Sequence, residues 1–155
     1  MSKIIAVVLS WNGRDDTLAC LRSLESESAE VIVVDNASSD GTADAITGAD
    51  VIRNERNLGY AGGMNVGIRA ALERGADAVL LLNNDVEVEP GAIAALAAAT
   101  EGAGAVCPLV VFAGAPERIW YAGRHSTRVA GTTAGSAPRS ALRPSRRSGS
   151  PVPRS

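Results

Sequence analysis

The sequence predicts an α/β fold, a parallel, layered sheet whose strands alternate with helices, and three observations predict it. Short apolar runs rich in aliphatic and β-branched residues recur at Ile4–Leu9, Val31–Val34 and Val79–Leu82, without the in-out alternation of a half-exposed strand. Segments with apolar residues at helical spacing lie between them. Each run stops abruptly in polar residues: Ser10-Trp11-Asn12-Gly13, Asp35-Asn36, and Asn83-Asn84-Asp85. Strands alternating with helices bury both faces of a parallel sheet.

Ile4 to Leu9 is the first buried strand. From about Asp15 to Leu24, Leu18, Leu21 and Leu24 recur at three-residue spacing, and Asp15 and Asp16 stand where a helix dipole favours negative charge. Val31 to Val34 is a second strand, followed by the polar loop Asp35 to Thr42, a short helix to about Ile46 and a short third strand at Val51-Ile52. The stretch Asn54 to Asn65 is rich in glycine and polar groups and runs into a helix from about Gly63 to Arg74, with Met64, Ile68, Ala71 and Leu72 as its stripe and Gly75 as its stop. The stretch Val79 to Val88, VLLLNNDVEV, supplies the next strand as a continuous apolar run of four that ends abruptly in Asn83, Asn84 and Asp85, and strand alternation places Glu87 and Glu89 on a polar face. Pro90 suits a helix start and opens an alanine-rich helix to about Ala99, and Ala105 to Phe112 is a further strand broken by Pro108.

The formal net charge of −2 conceals a division of the chain. Residues 1–123 carry eight basic against 17 acidic side chains, whereas residues 124–155 carry seven arginines and no acid. The latter segment is composed of Arg, Ser, Pro, Gly, Ala and Thr, with Val129, Leu142 and Val152 as its large aliphatics, so it is expected to be a disordered tail. Cys20 and Cys107 have neither the number nor the spacing of a disulfide framework or zinc site, and both are expected to be buried or half-buried. A reducing, cytoplasmic setting follows. No run approaches the roughly 18 apolar residues of a membrane span, and the short apolar N-terminal run lacks a signal-peptide cleavage pattern.

Right-handed crossovers place the three polar strand ends side by side at one sheet edge, where open α/β sheets hold ligands. Asp35, after the second strand, suits a ribose hydroxyl or a base. Asn83, Asn84 and Asp85 suit a hard cation and the phosphates bridged to it, although the same side chains also suit an Asx-rich turn. The turn after the first strand, WNGRDD, lacks the G-x-G-x-x-G of a dinucleotide fold, and no G-x-x-x-x-G-K-[ST] loop is present. What is left is a nucleotide whose diphosphate is neutralised by Mg²⁺ or Mn²⁺ at Asp85.

The ordered motifs LSWN, VVDNASSDGT, NLGYAGGMNVG and LLLNNDVEV resemble the nucleotide-binding half of inverting family 2 glycosyltransferases, and most of all the bacterial rhamnosyltransferase-like branch. The resemblance covers about residues 3–123. It implies a GT-A fold, a Rossmann-like three-layer α/β/α arrangement with a mostly parallel sheet, here incomplete. It further implies a UDP- or dTDP-sugar donor, dTDP-rhamnose among the candidates, a carbohydrate or lipid-linked glycan acceptor of cell-surface polysaccharide type, and peripheral association with the inner membrane face as one option. Carried over by position, Ser10, Trp11 and Asn12 approach the base; Asp35, Asn36 and Ser38 surround the nucleoside; Asn57, Gly62, Gly63 and Asn65 lie beside the donor. Asn83 and Asn84 contact ribose or diphosphate, and Asp85 ligates the metal.

The chain departs from the family in two ways. Asn83 stands where the D-x-D motif has its first acid, so one negative charge fewer faces the metal. No carboxylate side chain follows Glu117, whereas inverting transfer takes its general base from the later half of the domain. Truncation or a frameshift after about residue 123 is therefore expected, with little or no transferase activity in this chain. Two other classes compete: a non-catalytic nucleotide-binding module whose arginine-rich tail meets an acidic surface, and a nucleotidyltransferase. The tail lacks interleaved aromatics, which argues against a specific nucleic-acid site, and WNGRDD lacks the glycine-rich basic loop of a nucleotidyltransferase.

Overall fold

A computed structural model describes residues 2–100 and 103–122, together with the backbone of 141–144. Strand β1 (Ile4–Ser10) occupies an interior position of a four-stranded parallel sheet with β2 (Glu30–Asp35), β3 (Asp50–Arg53) and β4 (Ala78–Asn83), in the order β3-β2-β1-β4. Its residues from Ile5 to Ser10 are all buried, as its unbroken aliphatic run requires. Alternate residues serve opposite layers. Ala6, Val8, Val33 and Leu82 pack with Cys20 and Leu24 of α1 (Arg14–Leu24) and with Ala92 and Ile93 of α4 (Ala92–Ala99). Ile5, Val7, Leu9, Ile32 and Val34 pack with Met64 and Ala71 of α3 (Gly59–Glu73). Each fully buried Val, Ile or Leu contributes about 1.5–3 kcal/mol, so the two layers hold the strand ends in fixed relation.

Helix α3 starts four residues earlier than its sequence pattern predicts. The Asn57 carboxamide accepts the Gly59 N–H at 2.7 Å and Asn36 Oδ1 accepts the Leu58 N–H at 3.0 Å, satisfying donors that a helix start leaves unpaired. Two of its glycines lie against the sheet. A Cβ on Gly63 would stand 2.4 Å from Leu9 Cδ1, and one on Gly67 would stand 2.3 Å from Val7 Cγ1 and 2.9 Å from Val34 Cγ2. The glycine-rich reading is thus in part a device for close helix-on-sheet packing. Leu72, expected in the stripe, is 58% exposed.

The run Val79–Val88 is cut into two strands of different sheets. β4 ends at Asn83, Asn84 and Asp85 form a turn, and β5 (Val86–Val88) joins a second sheet with β6 (Leu109–Phe112), β7 (Ala115–Tyr121) and β8 (Ala141–Pro144), in the order β5-β8-β6-β7. The break at Pro108 agrees with expectation, while β7 was not foreseen. Pro90 precedes α4 by two residues, and the helix start is held instead by Glu27, whose carboxylate accepts the N–H groups of Gly91 at 2.6 Å and Ile93 at 3.0 Å. The expected tail at 124–155 lies outside the described residues except for β8, which pairs antiparallel with β5 and parallel with β6. Among the described residues no helix is long and apolar enough to cross a membrane.

Candidate functional site

The register brings the polar strand ends together as the crossover rule requires: Ser10 is opposite Asp35, and Leu9 is opposite Asn83. Neighbouring strands lie about 4.8 Å apart. Chain order runs outward from β1 to β2 and β3, then returns to place β4 on the other side of β1. The crevice between the ends of β1 and β4 is therefore the topological switch point, where the strand order reverses.

Asn12 ties the three strand-end loops to one another. Its backbone is left-handed, with φ 57°. Its N–H donates to Ser38 Oγ at 2.8 Å, its Oδ1 accepts the Ser39 N–H at 2.9 Å, and its carbonyl accepts Asn84 Nδ2 at 3.1 Å. Ser10 is fully buried and its hydroxyl meets that of Thr17 at 2.9 Å, whereas Trp11 is 59% exposed beside it. Thr17 received no role in the sequence reading. Its signal was a β-branched polar residue on the α1 stripe, where Thr17, Cys20 and Leu24 are the buried positions in place of the regular leucine spacing.

Asp35 is 3% exposed. Its Oδ2 accepts the Ser38 N–H at 3.1 Å, while Oδ1 is buried without a hydrogen-bond partner. Ala37, two residues on, is held at φ 63°, a conformation that costs a residue bearing a Cβ roughly 1–2 kcal/mol. A half-satisfied buried carboxylate next to a strained loop is costly in isolation and is a common mark of a ligand site.

Asn36 plays a different part. Its Nδ2 donates to Asn57 Oδ1 at 2.9 Å and to the Gly59 carbonyl at 3.2 Å, and its Oδ1 accepts from Asn54 Nδ2 and Leu58 N, both at 3.0 Å. Two donors and two lone pairs are all spent inside the protein, so this side chain binds the start of α3 to the end of β2. Gly63 is buried with a Cβ direction filled by Leu9 and Asn36, a Cβ on Gly62 would meet Leu58 Cβ at 2.8 Å, and Asn57 and Asn65 are exposed.

Asp40 is a capping residue. It accepts hydrogen bonds from the Thr42 hydroxyl, from Thr42 N at 3.0 Å and from Arg14 N at 3.2 Å. The Thr42 hydroxyl is the main reason its carboxyl is held below the ordinary aspartate range; desolvation opposes it, and the backbone donors of Thr42 and Arg14 each add a smaller lowering. At the β4 turn, Asn83 is exposed, Asn84 and Asp85 are half-buried, and Asn84 directs its amide inward onto Asn12 and Thr17. Burial, followed by the nearby charges of Asp85 and Glu87, pushes the Cys20 thiol up to about 12, so it remains protonated and donates to the Asn83 carbonyl at 3.8 Å. Cys107 is exposed, contrary to expectation. Among the described residues no group of three or more His, Cys, Asp and Glu stands together to hold a metal. The β4 turn offers one half-buried carboxylate, that of Asp85, and a hard cation there would need its remaining oxygens from phosphate and water.

The sequence profile described as glycosyl transferase family 2 matches residues 5–148. The chain belongs to this family. An uncharacterized protein of Mycobacterium tuberculosis is 39% identical over 80 residues, covering 52% of this chain and 30% of that protein. A dTDP-rhamnosyl transferase, RfbF of Shigella flexneri, is 31% identical over 91 residues, covering 56% and 31%. A low-salt glycan biosynthesis hexosyltransferase of Haloferax volcanii is 36% identical over 85 residues, covering 53% and 27%. The chain thus spans about a third or less of the length of these relatives. Among solved structures, S. aureus TarS 1–349 in complex with UDP-GlcNAc superposes with a TM-score of 0.53 at 22% identity, over 71% of this chain and 34% of that one. CMP:2-keto-3-deoxy-manno-octonic acid synthetase complexed with CTP reaches 0.50 at 18% identity, over 72% and 52%. At these identities the likeness is one of fold, and it bears out the α/β, GT-A expectation with its mostly parallel sheet and flanking helices.

Proposed function

We propose that this chain is the donor-binding part of a glycosyltransferase that takes a nucleoside diphosphate sugar at the β1/β4 switch point. The observation that carries the reading is the unpartnered, buried Oδ1 of Asp35 at the carboxyl end of β2. In this reading an N–H of a pyrimidine base or a ribose hydroxyl satisfies it and the diphosphate of the same ligand lies toward the β4 turn, which the alignment of Asp35 with Ser10, one strand from Asn83, supports. Asp85, with Asn83 beside it, would hold Mg²⁺ or Mn²⁺. Such a cation, when bound, supplies charge neutralisation of the departing diphosphate. The residues themselves bind and orient: Asp35 fixes the nucleoside, Asn12 and Asn36 hold the surrounding loops, and Trp11 offers an exposed ring next to the base.

UDP and dTDP are the nucleotides this reading favours, dTDP by the similarity to the RfbF rhamnosyl transferase and UDP by the fold shared with TarS, whose structure holds UDP-GlcNAc. The acceptor in this proposal is a carbohydrate or lipid-linked glycan. The test is thermal unfolding with Mn²⁺, then with Mn²⁺ plus UDP or dTDP, for the parent chain, Asp35→Asn and Asp85→Ala. A ligand binding only the folded state at 100 times its dissociation constant adds about 2.7 kcal/mol, a shift of several degrees. The expected result is a shift with one nucleotide that Asp35→Asn abolishes and Asp85→Ala reduces to its metal-free value. An equal shift in all three chains sinks the proposal.

A further inference from the structure

We propose that Thr17 is a positioning residue for the diphosphate end of the site, acting through Asn84; this rests on the donor-site reading above. Thr17 is fully buried on α1. A threonine hydroxyl has one proton and two lone pairs. The proton goes to the Gly13 carbonyl at 3.0 Å, and the lone pairs receive Asn84 Nδ2 at 3.0 Å and the Ser10 hydroxyl at 2.9 Å, which must then donate. The second Asn84 amide proton goes to the Asn12 carbonyl at 3.1 Å. Both donors of the turn residue are thus spent on the β1–α1 elbow.

Asn84 and Thr17 are 67 residues apart, so this junction joins segments that no local bond connects. Its fit is close, because a Cβ on Gly13 would stand 3.2 Å from Asn84 Nδ2. With Asn84 pinned inward, Asn83 is exposed and Asp85 half-buried on the same turn. Loss of the Thr17 hydroxyl removes one of the two acceptors that hold Asn84, and the turn carrying Asp85 loosens. Asp35 keeps its own bond to Ser38 and is untouched by the change.

The experiment titrates the parent, Thr17→Val and Thr17→Ser with UDP and dTDP, each with and without Mn²⁺, and with the corresponding free nucleosides. Thr17→Val is expected to lower the Mn²⁺-dependent gain in diphosphate affinity about tenfold, roughly the effect of one hydrogen bond, while nucleoside affinity stays within about twofold and Thr17→Ser restores the gain. If Thr17→Val loses its cooperative unfolding transition, Asn84→Ala replaces it with the same expected pattern. An undiminished Mn²⁺ gain, or an equal loss for nucleoside and nucleotide, overturns the role. A parent chain that binds no nucleotide overturns the donor-site reading and this role with it, so the parent titration separates the two failures.

Discussion

Gly67→Ala tests how closely α3 rides on the sheet. The added methyl would lie 2.3 Å from Val7 Cγ1 and 2.9 Å from Val34 Cγ2, against an ordinary carbon contact of about 3.5–4.0 Å. Both valines are fully buried, β-branched and on interior strands, so neither rotates away freely. Overpacking of this kind costs about 1–3 kcal/mol, toward the upper end here because two neighbours are struck, and the better helix propensity of alanine returns about 1 kcal/mol. The net expectation is a loss of about 1–2 kcal/mol, or about 3–8 °C in the unfolding midpoint by calorimetry or circular dichroism. Val7→Ala makes room for the methyl, so the double variant is expected to be more stable than the sum of the singles predicts. Stabilisation by about 1 kcal/mol in Gly67→Ala, as propensity alone dictates, refutes the packing argument.

Asn36→Asp replaces two donors by lone pairs facing Asn57 Oδ1 and the Gly59 carbonyl, and is expected to cost about 3 kcal/mol by denaturant titration; a loss under about 1 kcal/mol contradicts its role as a hub. Asp40 has its pKa depressed in the folded state, so its contribution is complete above the unfolded value and is lost as pH falls through the folded one. The midpoint gap between the parent and Asp40→Asn should accordingly narrow as pH drops below the ordinary aspartate range, and a gap independent of pH contradicts the assignment. Thiol labelling at pH 8 should modify Cys107 and spare Cys20 until the chain unfolds, since only the former is exposed and the latter titrates near 12. Two labels on the native chain would show that the α1 layer opens.

The strands and their polar ends were legible because a doubly covered strand must be apolar along its whole length and must then stop. Ile4–Ser10 and Glu30–Asp35 differ from their predicted bounds by a residue or so. The functions of single side chains at those ends were less legible, since burial and pairing depend on distant segments. Ser10 and Asn36 look like ligand contacts in the sequence, yet one is spent on Thr17 and the other on the start of α3. The capping by Asp40 is a local matter by contrast, because its partner Thr42 lies two residues away. Glu27, which caps α4 from 64 residues upstream, left no local trace, and Pro90 drew the helix start to the wrong place. The end of β4 at Asn83 was legible, whereas the entry of Val86–Val88 into a second sheet was not, because three residues carry too little pattern and their partner strand lies more than 50 residues on.

The interior place of β1 has a consequence for biosynthesis. Its first sheet partner, β2, follows within about 25 residues, whereas its second partner, β4, pairs Ala78 with Ile4 from the far side of three helices and two other strands. At a synthesis rate of 5–20 residues per second, β1 therefore waits on the order of 4–15 s with one aliphatic edge open. Nascent chains in that interval present a flat, uncharged template for pairing with other chains. Slower elongation lengthens the exposure, so yield of folded protein is governed by chaperone access during those seconds as well as by final stability.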